Sequence, residues 1–257
     1  AGINRMSIGI QSIIARDLKW MNRAHNAAHA LRCIQLPTEA GFNNFSIDLI
    51  FGTPGLSDKE WQENVQRVIE LNVPHLACYA LTVEPKTALQ KMIAQKKKED
   101  INTDAQAVQY SMLMKMMQDA GYEHYEISNF AKPGFRSRHN SSYWQGKKYI
   151  GVGPSAHSYN GKMRMWNKAN NSFYIQSLQK NTIPYEKEIL TEAQQINEYI
   201  MISLRTIEGM DLQFIENNFS INERRRIENL IEDKIEKVMI ITNNDKIILT
   251  DDGKLFA

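Results

Sequence analysis

The sequence has little cysteine: two residues in 257, Cys33 and Cys78, each alone in an apolar helix-like or strand-like context. That excludes a disulfide framework and reads as reduced, buried thiols of a cytoplasmic protein. No apolar run approaches the roughly 20 residues of a membrane span, and no secretory signal is present. Charge of one sign is also lacking. The net charge of +2 implies no strong pull towards nucleic acid or an anionic membrane. The six histidines include no HExxH pair and no Cys/His cluster with zinc spacing, so no metal site is assigned. The chain also opens without Met, at Ala1-Gly2-Ile3-Asn4-Arg5, and enters a strand within a few residues. The expectation is a stretch from the middle of a larger protein, with nothing ahead of that strand to pair with it.

What is there is ordinary globular composition, 42% hydrophobic and 23% charged. The first half alternates strand and helix patterns. Apolar runs at 6–10, 45–51 and 75–82 read as buried strands. Helices are expected at about 15–22, 27–39, 58–71 and 103–120. Asn26 is the N-cap of the second and Gly41 its stop, and Pro37 is expected to kink or end it early. Ser57-Asp-Lys-Glu60 and Thr103-Asp-Ala-Gln106 read as capping boxes. This order predicts βαβ units, a parallel sheet and a barrel-like α/β fold whose chemistry sits at the strand ends, near Gln11, Asp48 and Thr82. A carboxylate inside an apolar strand costs several kcal/mol unless it is bonded, which makes Asp48 a site candidate beside a plain structural contact.

Residues 122–159 are unusually polar and aromatic, and they read as a ligand-bearing loop segment. His139 and His157 flank Tyr143, Trp144 and Gly151-Val-Gly153-Pro154. The glycine run matches a degenerate dinucleotide fingerprint. That reading is rejected, because no βαβ context or following acidic residue supports it. A neutral imidazole beside Tyr and Trp either ligates a haem iron axially or hydrogen-bonds to a carboxylate, and both stay open. His25 and His29 read as a solvated face. Residues 166–190 read as a connector with a short helix near 173–180. Helices at about 191–205, 212–217 and 220–236, then strands at 238–242 and 246–250 around Asn243-Asn244-Asp245, predict a winged-helix-like α+β module. Its Arg224-Arg225-Arg226 run is offset by Glu223, Glu228 and Glu232, which favours a structural or docking role over nucleic-acid binding.

Five stretches carry a family resemblance: SIGIQS at 7–12, SIDLIFGTPG at 46–55, HYEISNFAKPG at 124–134, HNSSYW at 139–144 and GVGPSAHS at 151–158. Together they resemble the radical S-adenosylmethionine (SAM) proteins related to oxygen-independent coproporphyrinogen III oxidase, and HNSSYW resembles the HemW branch, the haem chaperones. The resemblance spans essentially the whole chain. It implies a partial (β/α) radical SAM barrel lacking its first strands, over 1–130, then a family-specific segment over 131–190 and the winged-helix-like module over 191–257. It also implies SAM, a [4Fe-4S] cluster and haem as cofactors or cargo. The family's Cys-x-x-x-Cys-x-x-Cys cluster loop and its Gly-Gly-Thr-Pro motif are absent here.

By the same resemblance, Gln11, Arg23, Asp48, Thr82 and His157 fall at SAM-contacting positions, and His139, with Tyr143 and Trp144, at the haem-binding motif. Two other readings of the same family pattern stand beside the chaperone. One is coproporphyrinogen decarboxylation in porphyrin biosynthesis. The other is a non-catalytic docking or regulatory module. The implied partners are haem or porphyrin, a haem-accepting protein, and a second copy joined through the first strand's open edge.

Overall fold

Strand β1 (Met6–Gln11) runs parallel to β2 (Phe45–Phe51), with Ile8 opposite Ile47 and Gly9 opposite Asp48. β3 (His75–Ala80) continues the parallel set, with Ile47 opposite Leu76. Helices α1 (Ala15–Trp20) and α2 (Ala27–Glu39) link β1 to β2, and α3 (Asp58–Glu70) links β2 to β3. The computed structural model describes residues 2–236 and 238–257. It resolves into two compact units, Ala1–Arg136 with Leu255–Ala257, and Ser137–Lys254.

In the first unit the two faces of the sheet differ. Ile10, Ile47, Leu49, Phe51, Leu76 and Cys78 pack with Trp61, Val65 and Val68 of α3 and with Leu113 and Met117 further on. Trp61 is fully buried and donates its Nε1–H to the Gln109 carbonyl at 2.9 Å. Burying side chains of this size contributes roughly 1.5–3 kcal/mol each, which is what holds the helices on this face. Residues at the alternate positions, Ser46, Asp48 and His75, take the opposite face, because successive strand side chains point to opposite sides.

After β3 come α4 (Ala88–Ala94), α5 (Thr103–Asp119) and a hairpin of β4 (Glu123–Glu126) and β5 (Asn129–Ala131). β5 lies antiparallel to β3, so the sheet order is β1-β2-β3-β5-β4 and only its first three strands are parallel. Several sequence expectations need correction here. α2 runs through Pro37 to Glu39, since the missing proline N–H falls in the last turn, where few bonds remain to lose. α5 is capped by Asn102, which accepts from the Asp104 and Ala105 amides, and not by Thr103. β3 ends at Ala80, so Thr82 lies beyond the strand. The Ser57–Glu60 capping box and the Asn26 cap form as expected.

The second unit opens with α6 (Arg138–Trp144). An antiparallel sheet follows, of β6 (His157–Tyr159), β7 (Met163–Asn167) and β8 (Tyr185–Ile189), with α7 (Asn171–Gln179) between the last two. The expected loop over HNSSYW is thus a helix, and the expected connector is mostly sheet. The remainder is α8 (Glu192–Leu204), β9 (Met210–Asp211), α9 (Leu212–Asn218), α10 (Ile221–Glu236), β10 (Ile240–Asn243), β11 (Lys246–Leu249) and α11 (Asp251–Lys254). Helices and a β10–β11 wing, extended by β9, form the expected winged-helix-like module around Ile196, Met210, Ile215, Ile227 and Ile247. Arg224 is tied to Glu216, Glu228 and Asp245, and Arg226 to Glu223. Two of the three successive arginines therefore serve the module itself. Among the described residues, no helix is long and apolar enough to cross a membrane.

Candidate functional site

Gln11 ends β1 with a left-handed backbone, φ 67°, and the register with β2 slips between Gly9 and Gln11. For a residue with a Cβ this conformation costs on the order of 1–3 kcal/mol, so the surroundings must hold it. They do. The Ile13 amide donates to Asn64 Oδ1 at 2.7 Å, the Ser12 hydroxyl to Asp17 Oδ2 at 3.0 Å, and the Ile14 amide to Ser12 Oγ at 3.0 Å. Ser12, Asp17 and Asn64 are all buried, and Arg16 bridges Asp17 to Glu60 of α3. Burial raises the Asp17 carboxyl, against the Ser12 bond and the Arg16 charge.

The bend turns the Gln11 carboxamide back across Gly9. A Cβ on Gly9 would lie 2.5 Å from Gln11 Nε2 and 3.8 Å from Asp48 Oδ2, so only glycine leaves this opening clear. Arg23 donates to the Gly9 carbonyl at 3.4 Å. His25 donates its Nε2–H to the Ile10 carbonyl at 2.9 Å, which corrects the solvated-face reading of that residue. Gln11, Asp48 and Arg23 therefore converge on Gly9. Thr82 is exposed and bonds to Glu84 on its own loop.

Behind Asp48 stands a buried polar chain that sequence reading did not single out. Asp48 accepts from the Ser7 hydroxyl at 3.2 Å and from Ser46. Burial raises its carboxyl, and those two hydroxyls oppose the rise. Ser46 Oγ lies 2.7 Å from His75 Nδ1, and His75 Nε2 lies 2.8 Å from the Tyr125 hydroxyl. The one available signal was the alternation in Phe45–Phe51, where the polar positions Ser46 and Asp48 share a face.

Burial, and after it the charge of Arg5, lowers the His75 imidazole to about 3. The unfolded chain binds a proton at His75 below its ordinary value of about 6.5, and the folded chain does not until about 3. Stability from this residue is therefore complete above pH 6.5 and falls on acidification towards pH 3, by up to about 1.4 kcal/mol per pH unit. Urea titrations between pH 7 and pH 4 are expected to show this slope flattened in His75→Asn. An identical slope in both proteins would refute it.

In the second unit, α6 is capped by Ser137 and places His139 and Tyr143 one turn apart on one face. Their rings meet edge to face with centroids 5.1 Å apart, and Tyr143 meets Tyr149 in the same way at 5.0 Å. Both His139 and Tyr143 are exposed. Trp144, one residue on, points about 100° away round the helix, and its Nε1 is buried with no hydrogen-bond partner among the described residues. Arg136, an expected partner for a ligand's carboxylates, is instead paired with Glu123 at 2.9 Å.

His157 is exposed on β6 and stacks on Trp166, with centroids 6.2 Å apart. The glycine run lies against β6: Gly151 donates its amide to Ser158 Oγ at 2.9 Å, and Asn167 donates to the Gly153 carbonyl at 2.9 Å.

The donor set around Gly9, a carboxylate, a carboxamide and a guanidinium beside a side-chain-free opening, fits the ammonium, hydroxyls and carboxylate of SAM. The thiols do not fit a [4Fe-4S] cluster. Such a cluster needs three or four clustered thiolates, and Cys33 on α2 and Cys78 on β3 are the whole supply.

A family model described as the HemN C-terminal domain matches residues 190–256. Over its full length the chain is 32% identical to the heme chaperone HemW of Bacillus subtilis, covering 68% of that protein. It is 31% identical to the heme chaperone HemW of Mycobacterium tuberculosis, covering 64%. The chain thus spans about two thirds of the length of the curated relatives it matches. Among solved structures, coproporphyrinogen III oxidase (HemN) from Escherichia coli, described as a radical SAM enzyme, superposes with a TM-score of 0.78 at 21% identity. The match covers 99% of this chain and 62% of that one, and it shows a shared fold.

Proposed function

Since the chain belongs to the HemW family, we propose that it forms the haem-binding part of a haem chaperone and carries residues of that chaperone's SAM site. Residues 1–130 are the barrel part, 131–190 the haem-handling segment and 191–257 the winged-helix-like module. Gln11, Arg23 and Asp48 bind and orient SAM, with Thr82 and His157 contributing to its lining. SAM supplies a sulfonium-linked adenosyl group, and the role of these residues ends at holding it, because this chain does not furnish a cluster's thiolates. His139 meets haem, with Tyr143 covering part of the porphyrin face and Trp144 bracing the helix. The receiving partner is a haem-accepting protein, and the compartment is the cytoplasm. The observation that carries this reading is the His139–Tyr143 pair, an exposed imidazole held against an exposed phenol ring on one face of α6.

Titration of the purified chain with hemin is the test. Saturation near one equivalent, with a Soret band distinct from that of free hemin, is expected. A spectrum that stays that of free hemin up to excess protein defeats the proposal. Reconstitution with iron and sulfide is expected to give no stoichiometric cluster. A stable band in the visible charge-transfer region, lost in Cys33→Ala, would contradict that. Self-association belongs to the same reading: among the described residues β1 is paired on one side only, and such edges recruit further strands. Sedimentation velocity is expected to show dimers at high protein concentration, and a monomer throughout would remove this part.

A further inference from the structure

Four side chains of the first unit form a line that ends at the Gly9 opening. Tyr125 OH is 2.8 Å from His75 Nε2, His75 Nδ1 is 2.7 Å from Ser46 Oγ, and Ser46 bonds to the Asp48 carboxylate. Ser46, His75 and Tyr125 are each more than nine-tenths buried, so their protons have few alternatives. The arrangement has one consistent polarity when Asp48 is ionised. A carboxylate only accepts. Ser46 has a single hydroxyl proton, and it must go to Asp48. Ser46 Oγ then accepts from His75, which requires the proton of the neutral imidazole to sit on Nδ1. Nε2 is left as an acceptor, and Tyr125 donates to it. The opposite tautomer would draw the Ser46 proton to His75 and set two oxygens lone pair to lone pair at Asp48, in surroundings where an unpaired polar group is costly.

Resting on the SAM reading above, we propose that His75 is a positioning residue: its Nδ1–H fixes the Ser46 hydroxyl, and Ser46 fixes the Asp48 carboxylate facing Gly9 and Gln11. His75 does not touch the ligand. Its part is to choose the tautomer that makes Asp48 an oriented acceptor for an ammonium or hydroxyl. Ser7 bonds Asp48 Oδ1 from β1, so the carboxylate is held from two strands while Oδ2 faces Gly9. The same polarity accounts for Ser46, a residue that would otherwise be an unexplained hydroxyl in an apolar strand.

Two measurements on the intact chain test the proposal. Long-range nitrogen–proton correlation spectra of histidine-labelled protein at neutral pH read the tautomer, with the His75 signal identified by its loss in His75→Asn. The Nδ1–H form is expected in the wild type, changing to the commoner Nε2–H form in Ser46→Ala. Nε2–H in the wild type overturns the proposal. Calorimetric titration with SAM gives the second readout. Asn places a donor where Nδ1 was, and Gln places one where Nε2 was. His75→Asn should therefore bind SAM within about threefold of wild type, and His75→Gln and Ser46→Ala about tenfold more weakly, the scale of a hydrogen bond to a charged group. Equal loss in His75→Asn and His75→Gln means a packing role and overturns the proposal. Should the wild type not bind SAM at all, the SAM reading fails. The tautomer spectra still decide whether His75 orders Ser46 and Asp48.

Discussion

Replacing His139 with alanine is expected to weaken hemin binding by about tenfold or more and to move the Soret band towards that of free hemin, with little change in melting temperature. The size follows from what is removed. An imidazole is the only strong iron ligand on the exposed face of α6, and its loss leaves ring contacts alone. The melting temperature is expected to hold within about 2 °C, since a surface substitution usually stays within roughly 0.5 kcal/mol. Alanine also has a higher helix propensity than histidine, which offsets the lost edge contact with Tyr143. A bracing role makes the opposite forecast: a lower melting temperature with haem affinity and spectrum unchanged. Parallel hemin titrations and thermal melts of wild type and His139→Ala separate the two, and an unaltered Soret band in the variant eliminates axial ligation.

Gly151→Ala is expected to cost about 3 kcal/mol and to lower the melting temperature of the second unit by about 10 °C. A Cβ at Gly151 would overlap the backbone of His157, at its carbonyl oxygen, carbonyl carbon and nitrogen together. A side-chain clash relaxes by rotation, but this one does not. β6 is held by pairing of His157 with Trp166 and Ser158 with Met165, and by two backbone bonds of 2.9 Å between Tyr149 and Tyr159. Either the bridge opens or β6 leaves β7. The exposed side chains of Ile150 and Val152 contribute little to holding the run in place, so the glycine backbone is what docks it. Thermal melts followed by near-ultraviolet circular dichroism, which reports Tyr149, Tyr159 and Trp166, give the readout. A variant within about 1 kcal/mol of wild type would show that the loop swings away freely.

The parts of this fold that were legible in the sequence are those fixed locally. Ser57–Glu60 forms its capping box because both reciprocal partners lie three residues apart, and Phe45–Phe51 is a strand because its apolar residues alternate and branch. The misses share a different cause. α6 is built from Arg-His-Asn-Ser-Ser-Tyr-Trp, mostly weak helix formers, and needs Ser137 as its cap and aromatic neighbours from later in the chain. The β6-β7-β8 sheet has short strands, one of them fully exposed, so no hydrophobic pattern announces it. At the candidate site, Gln11 and Asp48 were visible as polar residues in apolar strands. His75 and Tyr125 were not, because their meaning lies in a hydrogen-bonded line running from β4 through β3 to β2. No periodicity within one segment encodes it.

The order of strand pairing sets the pace at which each unit is built. In the second unit, β6 meets β7 across a tight connection, Tyr159 opposite Arg164, so that ladder closes over few residues. In the first, Met6 must find Phe45, and Ser46 must find His75, each across intervening helices. Loop closure over such separations is slow, and chains rich in distant pairings fold orders of magnitude later than chains rich in near ones. During synthesis Ile8 and Ile10 therefore leave the ribosome long before Ile47 and Leu49 arrive to cover them. For that interval an apolar strand with both edges bare depends on dilution or on a folding helper to keep it from pairing with a neighbouring chain.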